Sequence, residues 1–305
     1  MKRILIVGAS SFIGANIATA LRGRHPIVGT YSRNIPRIDG IQTFRFTLTP
    51  GAQISELLEM THPDVVIYCA AEVSDHLCGE NPEQALYVNA EAPYHFARAL
   101  QDIGKRLIFL STSKVFSGNQ GNYAENDEAL PQNLYAKMKL HGEQQLRNFE
   151  NLFILRLGTI FGVGSATHKS AILNRFLWEL WQDKPLSLIA DEFRSFLAVS
   201  EVARAVEAVI EAPSALAGLY HLSHQERHTY FTFGKELSLV FGLVNAKLNP
   251  IPGSAFGGEM AASGGARGND LTLDGSLFEK TFGVNFRGVI PSLVEIREVF
   301  RKGMM

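Results

Sequence analysis

Cysteine is nearly absent: Cys69 and Cys78 are the only two in 305 residues. Two thiols cannot form a disulfide framework, and a reducing cytoplasm is the expected setting. Charge of one sign is lacking too, since the formal net charge is -1. That excludes a broad attraction for nucleic acid or for an anionic membrane, so an anionic ligand needs a local site. No apolar stretch approaches the length that spans a bilayer. The start, Lys2-Arg3 followed by Ile4 to Val7, imitates a signal peptide, but the run ends at Gly8, too soon for a hydrophobic region of that kind. What remains is 46% hydrophobic and 19% charged. That composition belongs to an ordinary globular protein, and this length usually makes more than one domain.

The most informative stretch opens the chain. Arg3 to Val7 reads as a buried parallel strand. A helix pattern follows, with Phe12, Ile13, Ile17 and Leu21 on one face. Between them lies Gly8-Ala9-Ser10-Ser11-Phe12-Ile13-Gly14. Gly8 permits a sharp turn and Gly14 lets the helix press on the strand. The amides of the first helical turn, from Ser10 to Gly14, then face a pyrophosphate. Spaced glycines alone are a weak signal; their place after a strand and before a helix strengthens it.

Strand and helix patterns alternate from there. Strands are expected at 26–31, 43–48, 65–70, 106–111 and 152–157, and helices at 54–60, 82–103 and 135–149. Such repeated units predict an α/β fold with a Rossmann-type, doubly wound parallel sheet. Beyond Gly162 the rhythm loosens. Helices are expected at 172–181, 201–211, 231–241 and from Pro291 to about 301, strands at 194–199 and 219–222, and a mobile loop over 254–268. The expected division is a dinucleotide-binding domain over 1–160 with a return segment at 190–212. A smaller C-terminal α/β substrate domain takes 161–189 and 213–305, beside the strand ends where ligands bind.

Tyr135 and Lys139 stand four apart on a predicted helix and share a face. A nearby ammonium would lower the phenol pKa toward a useful range. By itself this spacing also fits an exposed helical pair. Ser111-Thr112-Ser113 ends the fifth predicted strand, where a hydroxyl could hydrogen-bond a carbonyl oxygen.

The glycine turn, the hydroxyls and the Tyr/Lys pair together resemble the extended branch of the short-chain dehydrogenase/reductase superfamily. Pro63 to Ala71, Asn89-Ala90, Ser111 to Phe116, Tyr135 to Lys139, Leu155-Arg156 and Arg267 to Leu273 fall in that family's order. Within it, Ser-Thr-x-x-Val-Phe looks most like the dTDP-4-dehydrorhamnose reductase group, the RmlD-type substrate-binding family. That group includes a non-catalytic regulatory subunit of methionine adenosyltransferase. The resemblance implies that Thr112 polarises a carbonyl and that Tyr135 protonates it. Lys139 would hold the nicotinamide ribose and tune Tyr135. Ala70, Ala71 and Asn89 would line the cofactor groove, with Glu72 and Ser113 near the substrate. Departures are present: Ser11 replaces a glycine, Tyr68 an Asn or His, Thr47 an Asp, Ser113-Lys114 an Asp-Tyr, and Glu72 a His. The cradle and the catalytic set survive, whereas the substrate contacts differ.

No acidic residue ends the second predicted strand, Gly29-Thr30-Tyr31-Ser32-Arg33. An NAD-selective site places one there. Ser32 and Arg33 could take a 2′-phosphate, so NADP is expected, with NAD as the alternative; the competing reading makes Arg33 a solvated surface residue. Arg194 and Arg267 could bind a nucleotide diphosphate, although Arg194 could equally pair with Asp191 or Glu201. His221, His224 and His228 do not share one helix face, and no metal is expected. Cys69 reads as a buried small hydrophobe, Trp178 and Trp181 as core or interface. The resulting expectation is NADP-dependent reduction of a nucleotide-linked keto-sugar. Its alternatives are a sugar-nucleotide epimerase or dehydratase and a non-catalytic NADP-binding subunit. The expected partner is a small molecule, with neither nucleic acid nor membrane, and a homodimer is left open.

Overall fold

The computed structural model describes residues 1–36, 38–164, 172–255 and 269–303. Arg267 and all but the first two residues of the 254–268 loop lie outside the described residues.

Seven parallel strands form the central sheet. They are β1 (Ile4–Val7), β2 (Ile27–Tyr31), β3 (Gln42–Arg45), β4 (Val65–Tyr68), β5 (Arg106–Thr112), β6 (Leu152–Leu157) and an edge strand, Gly218–Leu222. Their order is edge strand, β6, β5, β4, β1, β2, β3. The chain runs outward one way from β1 and then the other way from β4, so the order reverses between them. Every residue of β1, β4, β5 and β6 is buried, because helices cover both faces. That is why these strands read as unbroken apolar runs. The edge strand, placed in the smaller part by the sequence, pairs with β6 and extends the large sheet.

Helix α1 (Phe12–Leu21) is capped by Ser11, whose hydroxyl accepts from Gly14 N at 3.0 Å. It packs on the helix Val199–Glu211. Buried Arg106 starts β5 and donates to the carbonyls of Val209, Ile210 and Ala212, satisfying the end of that helix.

Several expectations shift. β3 stops at Arg45, because Thr47 and Leu48 leave the ladder and line a groove. The predicted 82–103 helix runs from Pro82 to Gln101 but contains a π turn, Tyr87–Glu91. The Tyr68 hydroxyl donates to the Val88 carbonyl at 2.7 Å inside that turn. The predicted 194–199 strand divides into Phe193–Arg194 and Phe196–Ala198, since Ser195 O turns aside to accept from Thr159 N at 2.8 Å. Short elements such as Asp75–Glu80, Leu186–Ile189 and Ser276–Phe282 carried no periodic signal. The last helix begins at Val289, two residues before Pro291.

A second apolar cluster gathers Phe161, Phe176, Phe196, Phe233 and Leu293, with Phe196 stacked on Phe233 at 4.5 Å. Trp178 and Trp181 are not in it; they stand exposed on the Ile172–Trp181 helix. Among the described residues no helix is long and apolar enough to cross a membrane.

Candidate active site

The strand order reverses between β1 and β4, and a groove of about 690 Å³ opens past their carboxyl ends. Gly8, Ser10 and Ser11 line its floor; Ala70, Ala71 and Glu72 line the facing wall. Gly8 has φ +86°, and a Cβ there would meet Ala70 N at 2.8 Å. A Cβ on Gly14 would run into the Gly8 carbonyl oxygen. The two glycines therefore bring β1, β4 and α1 close enough for backbone amides to form the surface. Phe12 and Ile13 direct their side chains inward, Ile13 against the sheet core and Phe12 toward Gly162.

Ser32 and Arg33 line the far end of the groove. Arg45 joins them from β3, its Nε 3.3 Å from Ser32 O. Sequence reasoning missed Arg45. It comes beside β2 through the parallel register Tyr31 to Arg45, which no linear pattern displays.

Asn89 does not line the groove. It is fully buried in the π turn, where its amide accepts from Glu72 N at 3.2 Å and donates to Glu72 O at 3.0 Å. It braces the Ala71–Glu72 wall from behind.

The Leu134–Leu146 helix starts at Asn133, whose side chain accepts from Ala136 N at 2.8 Å. Asp75 accepts from Tyr135 N at 3.1 Å. These two anchors fix the first turn, and with it Tyr135. The Thr112 hydroxyl at the end of β5 acts on the phenol, favouring its ionised form. Thr112 Oγ1 also accepts from Lys114 N at 3.2 Å. Burial pushes the Tyr135 phenol well above its usual range, opposed by the Thr112 contact. This reverses the expectation that Lys139 lowers it. Lys139 Nζ instead lies 3.7 Å from the centre of the Phe109 ring, and burial lowers its pKa to about 7.

That shift has a measurable consequence. Between pH 7 and the lysine's unfolded value the unfolded chain binds the extra proton, so stability rises with pH there. Urea unfolding from pH 7 to 9 is expected to show this rise with a slope of at most about 1.4 kcal/mol per unit. Lys139→Met is expected to flatten it. A variant with the wild-type slope would show that Lys139 is charged throughout.

On the opposite side, Lys114, Gln132, Asn133 and Arg194 border a small cavity of about 20 Å³. Lys114 Nζ is 5.7 Å from the Tyr135 ring centre, a second residue the sequence reading left without a role. Ser113 is buried in the turn after β5. Arg194 borders the cavity but is already paired: it binds Glu192 at 2.5 Å and donates to Phe193 O at 2.7 Å. Neither Asp191 nor Glu201 is its partner. Asp191 accepts from Gly253 N, and Glu201 binds Arg204 and Arg287. The histidines divide: His221 is wholly buried beside Arg156, whereas His224 and His228 both meet Glu226, and His228 also meets Glu236.

The family model described as RmlD substrate binding domain matches residues 1–299. A methionine adenosyltransferase 2 subunit beta from Xenopus laevis is 30% identical over 257 residues, covering 82% of this chain and 75% of that protein. A probable low-salt glycan biosynthesis reductase from Haloferax volcanii is 30% identical over 243 residues, covering 78% and 79%. The structure of dTDP-4-dehydrorhamnose reductase from Bacillus anthracis in complex with NADP has the same fold, with TM-score 0.78, 22% identity and coverage of 97% and 99%.

Proposed function

Since this chain belongs to the RmlD substrate binding domain family, we propose that it reduces a nucleotide-linked keto-sugar with NADPH. One observation carries the reading: Thr112 closes β5 at the carboxyl edge of the sheet, past which the groove opens, and its hydroxyl acts on the buried Tyr135 phenol. The groove fits a dinucleotide, because Gly8 and Gly14 let β1, β4 and α1 approach until backbone amides form the surface that a pyrophosphate needs. When bound, the nicotinamide supplies hydride to the carbonyl carbon.

The chain's own groups do the rest. Thr112 donates a hydrogen bond to the carbonyl oxygen and stabilises its developing charge. Tyr135 transfers its proton to that oxygen. Its raised pKa keeps the phenol protonated, and an alkoxide is the stronger base, so the transfer stays favourable. Lys139 orients the ribose side of the cofactor. The described parts of 161–189 and of 223–303 would form the substrate wall.

NADP is favoured over NAD by Ser32 and Arg33, now joined by Arg45. Arg33→Ser is expected to weaken NADPH binding by about tenfold and NADH binding by less than about twofold. Fluorescence titration with each nucleotide measures this. Equal losses would make Arg33 a solvated residue with no part in the choice.

Purified protein offered dTDP- and UDP-linked keto-sugars is expected to consume NADPH with at least one of them. Conversion of a sugar without net NADPH loss would point to epimerisation. Tight NADPH binding with no conversion of any sugar would favour a second reading, a cofactor-binding subunit without turnover. That reading has support in the relative named as a subunit and in the small cavity beside Lys114.

A further inference from the structure

The Leu134–Leu146 helix carries another polar group in line with Tyr135 and Lys139. Glu143 is four residues beyond Lys139 and fully buried. Its carboxylate accepts from Ser111 Oγ at 2.5 Å and from Arg156 Nε at 3.1 and 3.2 Å and Nη2 at 2.7 Å. Arg156 is buried as well. It lies 5.0 Å from the Phe116 ring centre, with Nη1 3.4 Å from His221 Nε2.

A buried ion pair is a poor source of net stability, because desolvation cancels most of the attraction, and apolar filling often serves as well. Placement is the feature that packing alone does not require. Ser111 immediately precedes Thr112 on β5, and Glu143 shares a helix with Tyr135 and Lys139. The Ser111–Glu143 bond therefore joins the two elements that carry the hydroxyl, the phenol and the ammonium.

We propose that Glu143 is a positioning residue: its carboxylate, bonded to Ser111 and one helical turn beyond Lys139, fixes the end of β5 against the helix and opposes the effect of burial on the lysine. The proposal rests on the role given to Lys139 above. Around Lys139, Glu143 comes from its own helix, the Cys69 thiol from the end of β4 and the Phe109 ring from β5; Tyr135 stands one turn earlier on the same helix. Arg156 on β6 and His221 on the edge strand stand on the far side of Glu143. Cys69 is held protonated by burial, its pKa pushed up to about 12, and Tyr135 is likewise neutral. Glu143, paired with Arg156, is thus the group that offsets the desolvation of Lys139, the first opposing influence on it.

The test reads the lysine directly, in the full chain without sugar or cofactor. Protein labelled with carbon-13 at lysine Cε is titrated by NMR, and the Lys139 signal is identified by its loss in Lys139→Arg. In Glu143→Gln the Lys139 midpoint is expected to fall by about one pH unit or more, and in Glu143→Asp to return toward the wild-type value. Should Glu143→Gln not fold with Arg156 left unpaired, the double variant Glu143→Met with Arg156→Met decides; it removes the pair together, and the same fall is expected. A midpoint in the folded variant within about 0.2 of wild type overturns the proposal. Since no turnover is measured, a failed sugar screen leaves this result unaffected.

Discussion

Replacing Tyr135 with Phe is expected to slow keto-sugar reduction by about a thousandfold, within the usual range for losing a positioned proton donor. NADPH affinity should change by less than about twofold, because the ring still fills its buried site and only the hydroxyl is lost. The helix is held by Asn133 and Asp75 through backbone amides, so its position does not depend on that hydroxyl. The hydroxyl that acts on the phenol is that of Thr112, at the end of β5. Thr112→Val, which removes only the second hydroxyl, should lower turnover less, by about a hundredfold. Initial rates of NADPH oxidation measure both. Full activity in Tyr135→Phe would remove the phenol from the chemistry, leaving the chain as a binder of its nucleotide.

The second large effect is expected at the turn. Gly8→Ala should destabilise the protein by about 3 kcal/mol and weaken NADPH binding by about a hundredfold. Two costs add. Alanine at φ +86° costs about 1–2 kcal/mol. Its Cβ would also lie 2.8 Å from Ala70 N and 2.9 Å from Ala70 Cα, backbone atoms that cannot yield without moving the end of β4. Gly23 supplies the control. It has the same φ of +86°, but nothing lies within 4 Å of a Cβ built there. Gly23→Ala should therefore carry the first cost and escape the second. Urea unfolding of the two variants separates the contributions, and equal losses would refute the close approach of β1 and β4.

Legibility followed how local the physics was. Strands β1, β4, β5 and β6 were readable because both faces are covered, leaving continuous apolar runs. The glycine turn was readable because its constraint is steric and lies within seven residues. The short strand pairs, Leu186–Ile189 with Leu248–Ile251 and Phe193–Arg194 with Asp270–Leu271, were not readable as pairs. Each is set by a partner more than fifty residues away. The π turn was hidden for a similar reason: Tyr68 on one element captures a carbonyl on another.

The residues themselves decided the parallel sheet and the cradle, since apolar runs and glycines act over short distances, and the family resemblance of their motifs made candidates of Thr112, Tyr135 and Lys139. Tertiary packing alone decided their electrical state and their company. It raised the Tyr135 phenol and lowered the Lys139 ammonium through burial, and it set Glu143 and Arg156 together behind them. It turned Asn89 into a brace, gave Arg194 to Glu192 and brought Arg45 beside Ser32. Desolvation and long-range pairing depend on what surrounds a side chain, and those surroundings exist only in the folded chain.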